Sequence, residues 1–284
     1  VLFRSSLSLC SANVRSLYTK PHGHAGKLDF LRGQMKQLKL NVVGIQEARS
    51  HAGQSAADQV LRISGGDQQG QLGVELWVNL TQPYAYQGRT PVFFQRMDFV
   101  VVEATPRTLL VLHDHPSHRF WFLVAHGPQS GRPQEEREEW WMHLTTLLFQ
   151  HVQSDKIFIL IDANAATGPR DDIHVFQHDD RTSVNTKYFT EFLCEMDLAV
   201  PSTGARHEGP HHTWTSPIDE EQYRLDYVLL RTDIVGDCVH SQTVPEFDLG
   251  NSGDHIAVAI QVQWNAACSQ LSRHCQGERG PGVQ

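Results

Sequence analysis

Short apolar runs that stop at a polar, hydrogen-bonding residue constrain this chain more than any other feature. Leu7–Ala12 runs into Asn13, Asn41–Gln46 into Glu47, and Lys156–Ile161 into Asp162-Ala163-Asn164. Leu72–Asn79, Phe99–Ala104, Thr108–His113, Phe120–His126, Tyr223–Leu230 and Ile256–Trp264 have the same texture. Each is the length of a strand and rich in Val, Ile, Leu or Phe. Between them lie helical patterns. Leu28, Leu31, Met35 and Leu38 recur at helical spacing, so the chain opens with a strand–helix–strand unit. Glu135–Val152 reads as a long helix burying Trp140, Trp141, Leu144, Leu147, Leu148 and Val152, its acidic run Glu135–Glu139 suiting a helix N-terminus. Val184–Met196 reads as another, with Tyr188, Phe189, Phe192, Leu193 and Met196 inward. So many strands exceed one small sheet. The pattern predicts an α/β fold built as a four-layer α/β sandwich, two packed mixed β-sheets with helices on the outside. It occupies one domain, residues 1–264, with a polar and disordered tail over 265–284. Ser50–Gln71, rich in Gly, Gln, Ser and Ala, reads as loop.

Charge and composition narrow the function. With 24 Lys+Arg against 32 Asp+Glu the formal net charge is −8, which excludes a simple polybasic arm. It does not exclude a phosphate substrate, because a bound divalent cation supplies local positive charge. No apolar run reaches the ~20 residues of a membrane span, and no membrane partner is expected. Val1–Cys10 lacks a cationic n-region, so no signal peptide is expected, and a first residue other than Met fits a piece of a longer chain. The 5 cysteines are odd in number and scattered, as in a reduced intracellular protein. Cys268, His274 and Cys275 have poor zinc spacing and read as a frayed tail.

The polar residues at strand ends are the candidates for chemistry, since ends on one rim of packed sheets converge. On an extended chain Asp162 and Asn164 point to one side, where a carboxylate and an amide can hold and orient a water. Asp226 interrupts an apolar run and must have a partner. That partner is either a salt-bridging base such as Arg224 or a histidine whose imidazole it orients, and His255 is the histidine we pair with it. Glu47, Asn13 and Asp254 form an all-oxygen set that suits Mg²⁺ or Mn²⁺ rather than zinc. His113, His115 and His118, and likewise His207, His211 and His212, read as solvated loop histidines.

In this order the pieces resemble the endonuclease/exonuclease/phosphatase superfamily, the fold of deoxyribonuclease I and the exonuclease III-like abasic-site nucleases. They are Ser11-Ala-Asn13-Val-Arg15, Ile45-Gln46-Glu47, Val124-Ala-His126-Gly-Pro128, Ile161-Asp162-Ala-Asn164, His212-Thr213-Trp214, Arg224-Leu-Asp226-Tyr227 and Gly253-Asp254-His255, and they span nearly the whole chain. Asn41–Glu47 with Ala48-Arg49-Ser50, Thr213-Trp214 and Leu225-Asp226-Tyr227 further resemble the endonuclease domains of non-LTR retrotransposons. Two positions depart from that branch: His126 stands where many members carry Tyr, and Gly253 where retrotransposon members usually carry Ser.

The resemblance implies roles. Glu47 is the main metal ligand, completed by Asn13 and Asp254. Asp162 activates or orients the attacking water, and Asn164 sits on the scissile phosphate. His255, paired with Asp226, meets the developing charge or transfers a proton, and His126 adds positive charge or a donor. Thr213 and Arg15 contact substrate phosphate. The implied activity is Mg²⁺-dependent (or Mn²⁺-dependent) nicking of one DNA strand to leave a 3′-hydroxyl, with a reverse transcriptase domain further along a parent polyprotein and a nuclear location. The rival readings are a sphingomyelinase or inositol-polyphosphate phosphatase of the same fold, and a decayed remnant that binds DNA without cutting it.

Overall fold

The computed structural model describes residues 5–17, 26–66, 72–153, 155–177, 181–235, 239–247 and 254–264. In chain order the strands and helices are β1 (Ser5–Asn13), α1 (Lys27–Gln37), β2 (Val42–Gln46), β3 (Gly53–Ala57), β4 (Val60–Ser64) and β5 (Glu75–Asn79). Then come β6 (Ala85–Gln87), β7 (Thr90–Val92), β8 (Phe99–Ala104), β9 (Thr108–His115), β10 (His118–His126), α2 (Gln134–His151) and β11 (Lys156–Asp162). The last are α3 (Thr186–Glu195), β12 (Leu198–Ala199), β13 (His207–Glu208), β14 (Trp214–Thr215), β15 (Gln222–Tyr223), β16 (Asp226–Arg231), β17 (Val239–Val244) and β18 (Ala257–Trp264).

The first sheet runs β13-β17-β18-β1-β2-β5-β4-β3 and the second β12-β16-β11-β10-β9-β8, both mixed. Side-chain parity stacks the layers. Leu7 and Leu9 of β1, Val42 of β2 and Val258 and Ile260 of β18 share one buried cluster with Phe120, Phe122 and Val124 of β10, Phe158 and Leu160 of β11 and Val228 of β16. The alternate residues face outward. Cys10, Ala12, Val43 and Ile45 bury against Leu31 and Met35 of α1. Leu123, Ile159, Ile161 and Tyr227 bury against Trp141 and Leu144 of α2 and Phe189 and Phe192 of α3. The chain is α/β with two mixed sheets, as the sequence pattern predicts, and the buried clusters set the helices against these sheets.

The sheets approach so closely at Gly44 that a Cβ there would lie 2.5 Å from Leu160 Cβ. Gly127 is pressed as hard on a carbonyl, with a Cβ falling 2.5 Å from the Ala163 oxygen.

Three sequence readings change. Ser50–Gln71 is not loop over 53–64: β3 and β4 form a hairpin on the edge of the first sheet. All five residues of β3 are exposed, so it has no buried face to produce apolar alternation. Its turn, Asp58-Gln59, has φ of 50° and 60° without a glycine, the left-handed pair that two-residue hairpins need. His113 is not a solvated loop residue but lies fully buried in β9, among Tyr84, Phe94 and Phe120. Tyr223–Leu230 is two strands, broken at Arg224-Leu225. The tail over 265–284 with Cys268, His274 and Cys275, and also Cys238, Ser252 and Gly253, lie outside the described residues.

Gly44→Ala should destabilise the fold by about 1–3 kcal/mol, because the added methyl meets Leu160 inside a packed interface; chemical denaturation reads this out, and an unchanged midpoint would disprove the tight approach. Burial, then the neighbouring His115 and His118, push the His113 pKa down from 6.5 to about 3. The unfolded chain therefore takes up a proton that the folded chain refuses, and stability falls as pH drops through that window at up to about 1.4 kcal/mol per pH unit. His113→Leu should flatten the acid limb of the Tm–pH curve; the same slope in the variant would assign acid sensitivity to other groups.

Candidate active site

The polar residues at the strand ends continue the parity of the inner, apolar face. Asn13 follows Leu7, Leu9 and Ser11 two by two; Gln46 follows Val42 and Gly44; His126 follows Phe122 and Val124; Asp162 follows Phe158 and Leu160. Register aligns them. Asn13 pairs with Gln46 across β1 and β2, His126 with Asp162 across β10 and β11, and Asp162 with Asp226 across β11 and β16. The last rung of the sandwich interior is thus polar, and it joins the sheets. Asn13 Nδ2 donates to Asp162 Oδ2 at 2.9 Å and to Glu47 Oε1 at 3.3 Å. Gln46 Nε2 crosses to the Leu160 carbonyl at 3.1 Å.

Just past the strand ends the backbone turns sharply. Arg15, Glu47 and Asn164 have φ of 55°, 53° and 47°, a left-handed conformation that residues other than glycine adopt at a cost. All three line one cleft of about 490 Å³, with Asn13, His126, Asp162 and His255. Asn164 reaches it by a different route from the extended one expected. β11 ends at Asp162, and the Asn164 N–H folds back onto Asp162 Oδ1 at 3.0 Å, with Asn164 Nδ2 on the Gly127 carbonyl at 3.0 Å.

Asp226 finds the partner expected of it. His255 Nδ1 donates to Asp226 Oδ2 at 3.0 Å, in a pair 9% and 1% exposed. Burial alone would lower the His255 pKa, but the Asp226 carboxylate, helped by Asp162 and Asp254, carries it up to about 9. Burial raises Asp162 and Asp226, and the His255 charge opposes that rise. His126 behaves oppositely. It is buried with Nε2 3.8 Å from Asp162 Oδ2, yet burial, then Arg107, hold its pKa at about 4. At neutral pH it offers a donor or acceptor, the second of the two roles expected of it, and not a positive charge.

Two expected phosphate contacts are differently placed. Thr213 is buried, its hydroxyl oxygen accepting the Leu225 and Asp226 N–H groups at 3.0 Å each, so it fixes the start of β16 instead of facing substrate. Arg15 reaches the cleft, but its guanidinium is ion-paired with Asp254. Sequence reading passed over the ribbon β14–β15, whose Trp214 and Tyr223 also line the cleft. Their rings lie 5.6 Å apart, Trp214 is 6.3 Å from the His255 ring, and the Arg181 guanidinium covers Tyr223 at 4.8 Å. The pairs Trp214-Thr215 and Gln222-Tyr223, flanking a polar turn, were the available signal.

Comparison with solved structures finds the same fold in known proteins. An AP endonuclease, LMAP, from Leishmania major superposes with a TM-score of 0.63 at 13% identity, over 92% of this chain and 89% of that one. The 3′-5′ exonuclease NExo from Neisseria meningitidis gives 0.62 at 16% identity, over 91% and 100%. The fold is that of the endonuclease/exonuclease/phosphatase superfamily. The endonuclease domain of TRAS1, a telomere-specific non-LTR retrotransposon, gives 0.57 at 15% identity, over 90% and 98%, in line with the finer resemblance. No family model and no curated protein matches the sequence.

The rim also fits a hard divalent cation. The carboxylates of Glu47 and Asp162 face each other across only the Asn13 amide, and buried Asp226 Oδ1 has no protein partner among the described residues. A cation among such oxygens relieves the repulsion between them. Glu47 would hold it; Asn13 joins only if its amide turns away from both carboxylates to present its oxygen, and Asp254 only if Arg15 releases it. In metal-free protein, Asp226→Asn should drop the His255 pKa from about 9 to 6.5 or below, since burial then acts with less opposition. An NMR titration of the imidazole reads this; an unchanged value would mean that Asp226 is not its counter-ion.

Proposed function

We propose that this chain is a divalent-metal-dependent phosphodiesterase that nicks one strand of DNA and leaves a 3′-hydroxyl. The observation that carries the proposal is the joining, in one cleft, of the Asp226–His255 pair to the Asn13–Asp162 bridge between the sheets. One half presents a protonated imidazole at neutral pH, the other a carboxylate held by two donors.

Each group has a task that its surroundings allow. Asp162, with Oδ2 on the Asn13 amide and Oδ1 on the Asn164 N–H, is held in one orientation and can accept a proton from an attacking water. Burial raises its pKa and makes it a better base. His255 gives Nδ1 to Asp226, so its other ring nitrogen carries the proton that meets charge developing on the phosphate. His126 adds a neutral donor beside Asp162. A divalent cation, when bound near Glu47 and Asn13, would supply the charge that polarises the phosphoryl oxygen and eases departure of the 3′-oxygen.

DNA is favoured over a lipid or inositol phosphate by the ribbon. Trp214 and Tyr223, the latter under Arg181, set aromatic faces next to the phosphate site, where a base or sugar can stack. The larger groove, about 740 Å³ between α2 and α3, is rimmed by Glu135, Glu138, Glu139, Glu191 and Glu195 and would repel phosphate. The likeness to the endonuclease domain of TRAS1 supports the narrower reading of target-site nicking; a nuclear location and a reverse transcriptase domain in the same polyprotein are part of what we propose.

Supercoiled plasmid should be relaxed with Mg²⁺ or Mn²⁺, not in excess EDTA, and a polymerase should extend the nicked ends. Asp226→Asn and His255→Ala should each lower kcat by roughly 10²–10⁴ with the melting temperature retained. As members of one unit, their double variant should be little worse than the worse single one. Hydrolysis of sphingomyelin or an inositol phosphate in place of plasmid, or full nicking in EDTA, would overturn the proposal.

A further inference from the structure

A second convergence of ligand-type side chains lies away from the cleft. Asp171 and His174 belong to the segment between β11 and α3, and Cys194 to the last turn of α3. One carboxylate oxygen, one ring nitrogen and the thiol sulfur lie within 4.8 Å of one another. His174 Nδ1 is 2.7 Å from Asp171 Oδ2 and 4.0 Å from Cys194 Sγ. We propose that Asp171, His174 and Cys194 form a surface site for a borderline-soft divalent cation, zinc above all, with solvent in the fourth position.

The surroundings build the site. Asp171 Oδ1 accepts the N–H groups of Ile173, His174 and Val175 at 3.0, 2.8 and 2.9 Å, which fixes the carboxylate; Oδ2 accepts a hydrogen bond from His174 Nδ1, and a cation would take the place of that proton. The Val200 N–H binds the His174 carbonyl at 2.8 Å and ties the segment to the sheet. Zinc takes O, N and S ligands at about 2.0–2.3 Å, so tetrahedral neighbours sit about 3.3–3.7 Å apart. The O–N pair must open and the N–S pair close, each by well under about one ångström, a rotamer adjustment within reach of exposed Asp171 and Cys194 beside half-buried His174.

Charge favours a cation here. Cys194 stands at the C-terminal end of α3, where carbonyl dipoles attract positive charge, yet that last turn has no basic residue. Asp171 and Glu195 place further negative charge beside the thiol, which a dication would offset. Nearby Arg170 is paired with Asp172. The donors differ from those of the cleft. Oxygen alone suits Mg²⁺, whereas a thiol and an imidazole beside one carboxylate suit zinc. Bound there, the ion would staple the 168–176 segment to the helix.

The full chain tests this by alkylation of Cys194, followed at its own peptide by mass spectrometry, with no metal, with equimolar Zn²⁺ and with Mg²⁺. Zn²⁺ should slow the reaction at least tenfold, and Mg²⁺ should not. His174→Ala and Asp171→Asn should abolish the protection. The asparagine keeps the oxygen that receives the three N–H groups and replaces only the ligating one. Cobalt should give a sulfur-to-metal charge-transfer band that Cys194→Ser removes. Zinc held elsewhere, at other histidines, would leave Cys194 reactive. Protection short of tenfold, equal protection by Mg²⁺, or protection that survives both variants would overturn the proposal. None of these readouts depends on phosphodiester hydrolysis.

Discussion

Two sheets meeting at a glycine determine most of what this molecule can do. Gly44 lets β2 close onto Leu160 of β11, and the next inner-facing residue, Gln46, then reaches the Leu160 carbonyl. On the same rung, Asn13 spans from the first sheet to Asp162 of the second. Apolar residues fill the interior until the strands end, and the same parity then presents Asn13, His126, Asp162 and Asp226 to one another. The site is therefore a continuation of the core. Its side chains are fixed by sheet register, which is stiff, while the loops contribute Glu47, Asn164 and His255 at its margin. A larger side chain at Gly44 would separate the sheets and stretch every hydrogen bond that joins the two halves of the rim.

That placement carries an electrostatic cost which the fold partly offsets from within. Asp162 and Asp226 are paired across neighbouring strands, both buried, so each raises the difficulty of ionising the other. His255 answers both, which is why its pKa rises to about 9 despite burial. Arg15 answers Asp254, and the Asn13 amide gives its two hydrogens to Glu47 and Asp162. His126 cannot help, because burial, with Arg107 near, keeps it neutral. Arg49 pairs with Glu47, and the carboxylates still outnumber the cationic groups at the rim, which favours a divalent cation there.

How much was legible in the sequence follows from what each signal depends on. Asn13, Glu47, Asp162 and Asp226 were visible because they interrupt or terminate apolar runs, and a buried polar residue in such a run needs a reason. Pairing Asp226 with His255 needed only the expectation that a buried carboxylate finds a partner. Thr213 was misplaced because a hydroxyl gives no sign of whether it faces solvent or, as here, receives two backbone N–H groups. The position of Asn164 was lost because the extended spacing of i and i+2 holds only while the strand lasts, and φ of 47° ends it. Both hairpins escaped for a local reason. β3 has no buried face, β14 and β15 have two residues each, and neither generates a period to detect.

The α3 cluster escaped for a different reason: its ligands come from a turn and a helix end, and no strand parity announces them. Helix α3 ties this remote end of the molecule to the rim. Asn185, the residue before it, donates to the Asn164 carbonyl at 3.0 Å and to that of Pro128 at 2.8 Å, so the start of the helix braces the cleft's left-handed turn. Its other end carries Cys194 beside Asp171 and His174. A helix is stiff along its axis, and its first turn rests on hydrogen bonds to a backbone held at a cost. Fastening its far end restricts how it can shift against the second sheet, and thereby how far Asn164 can move from Asp162. The two clusters offer different donors: carboxylate and amide oxygens at the cleft, and a thiol and an imidazole beside one carboxylate at the far end of α3.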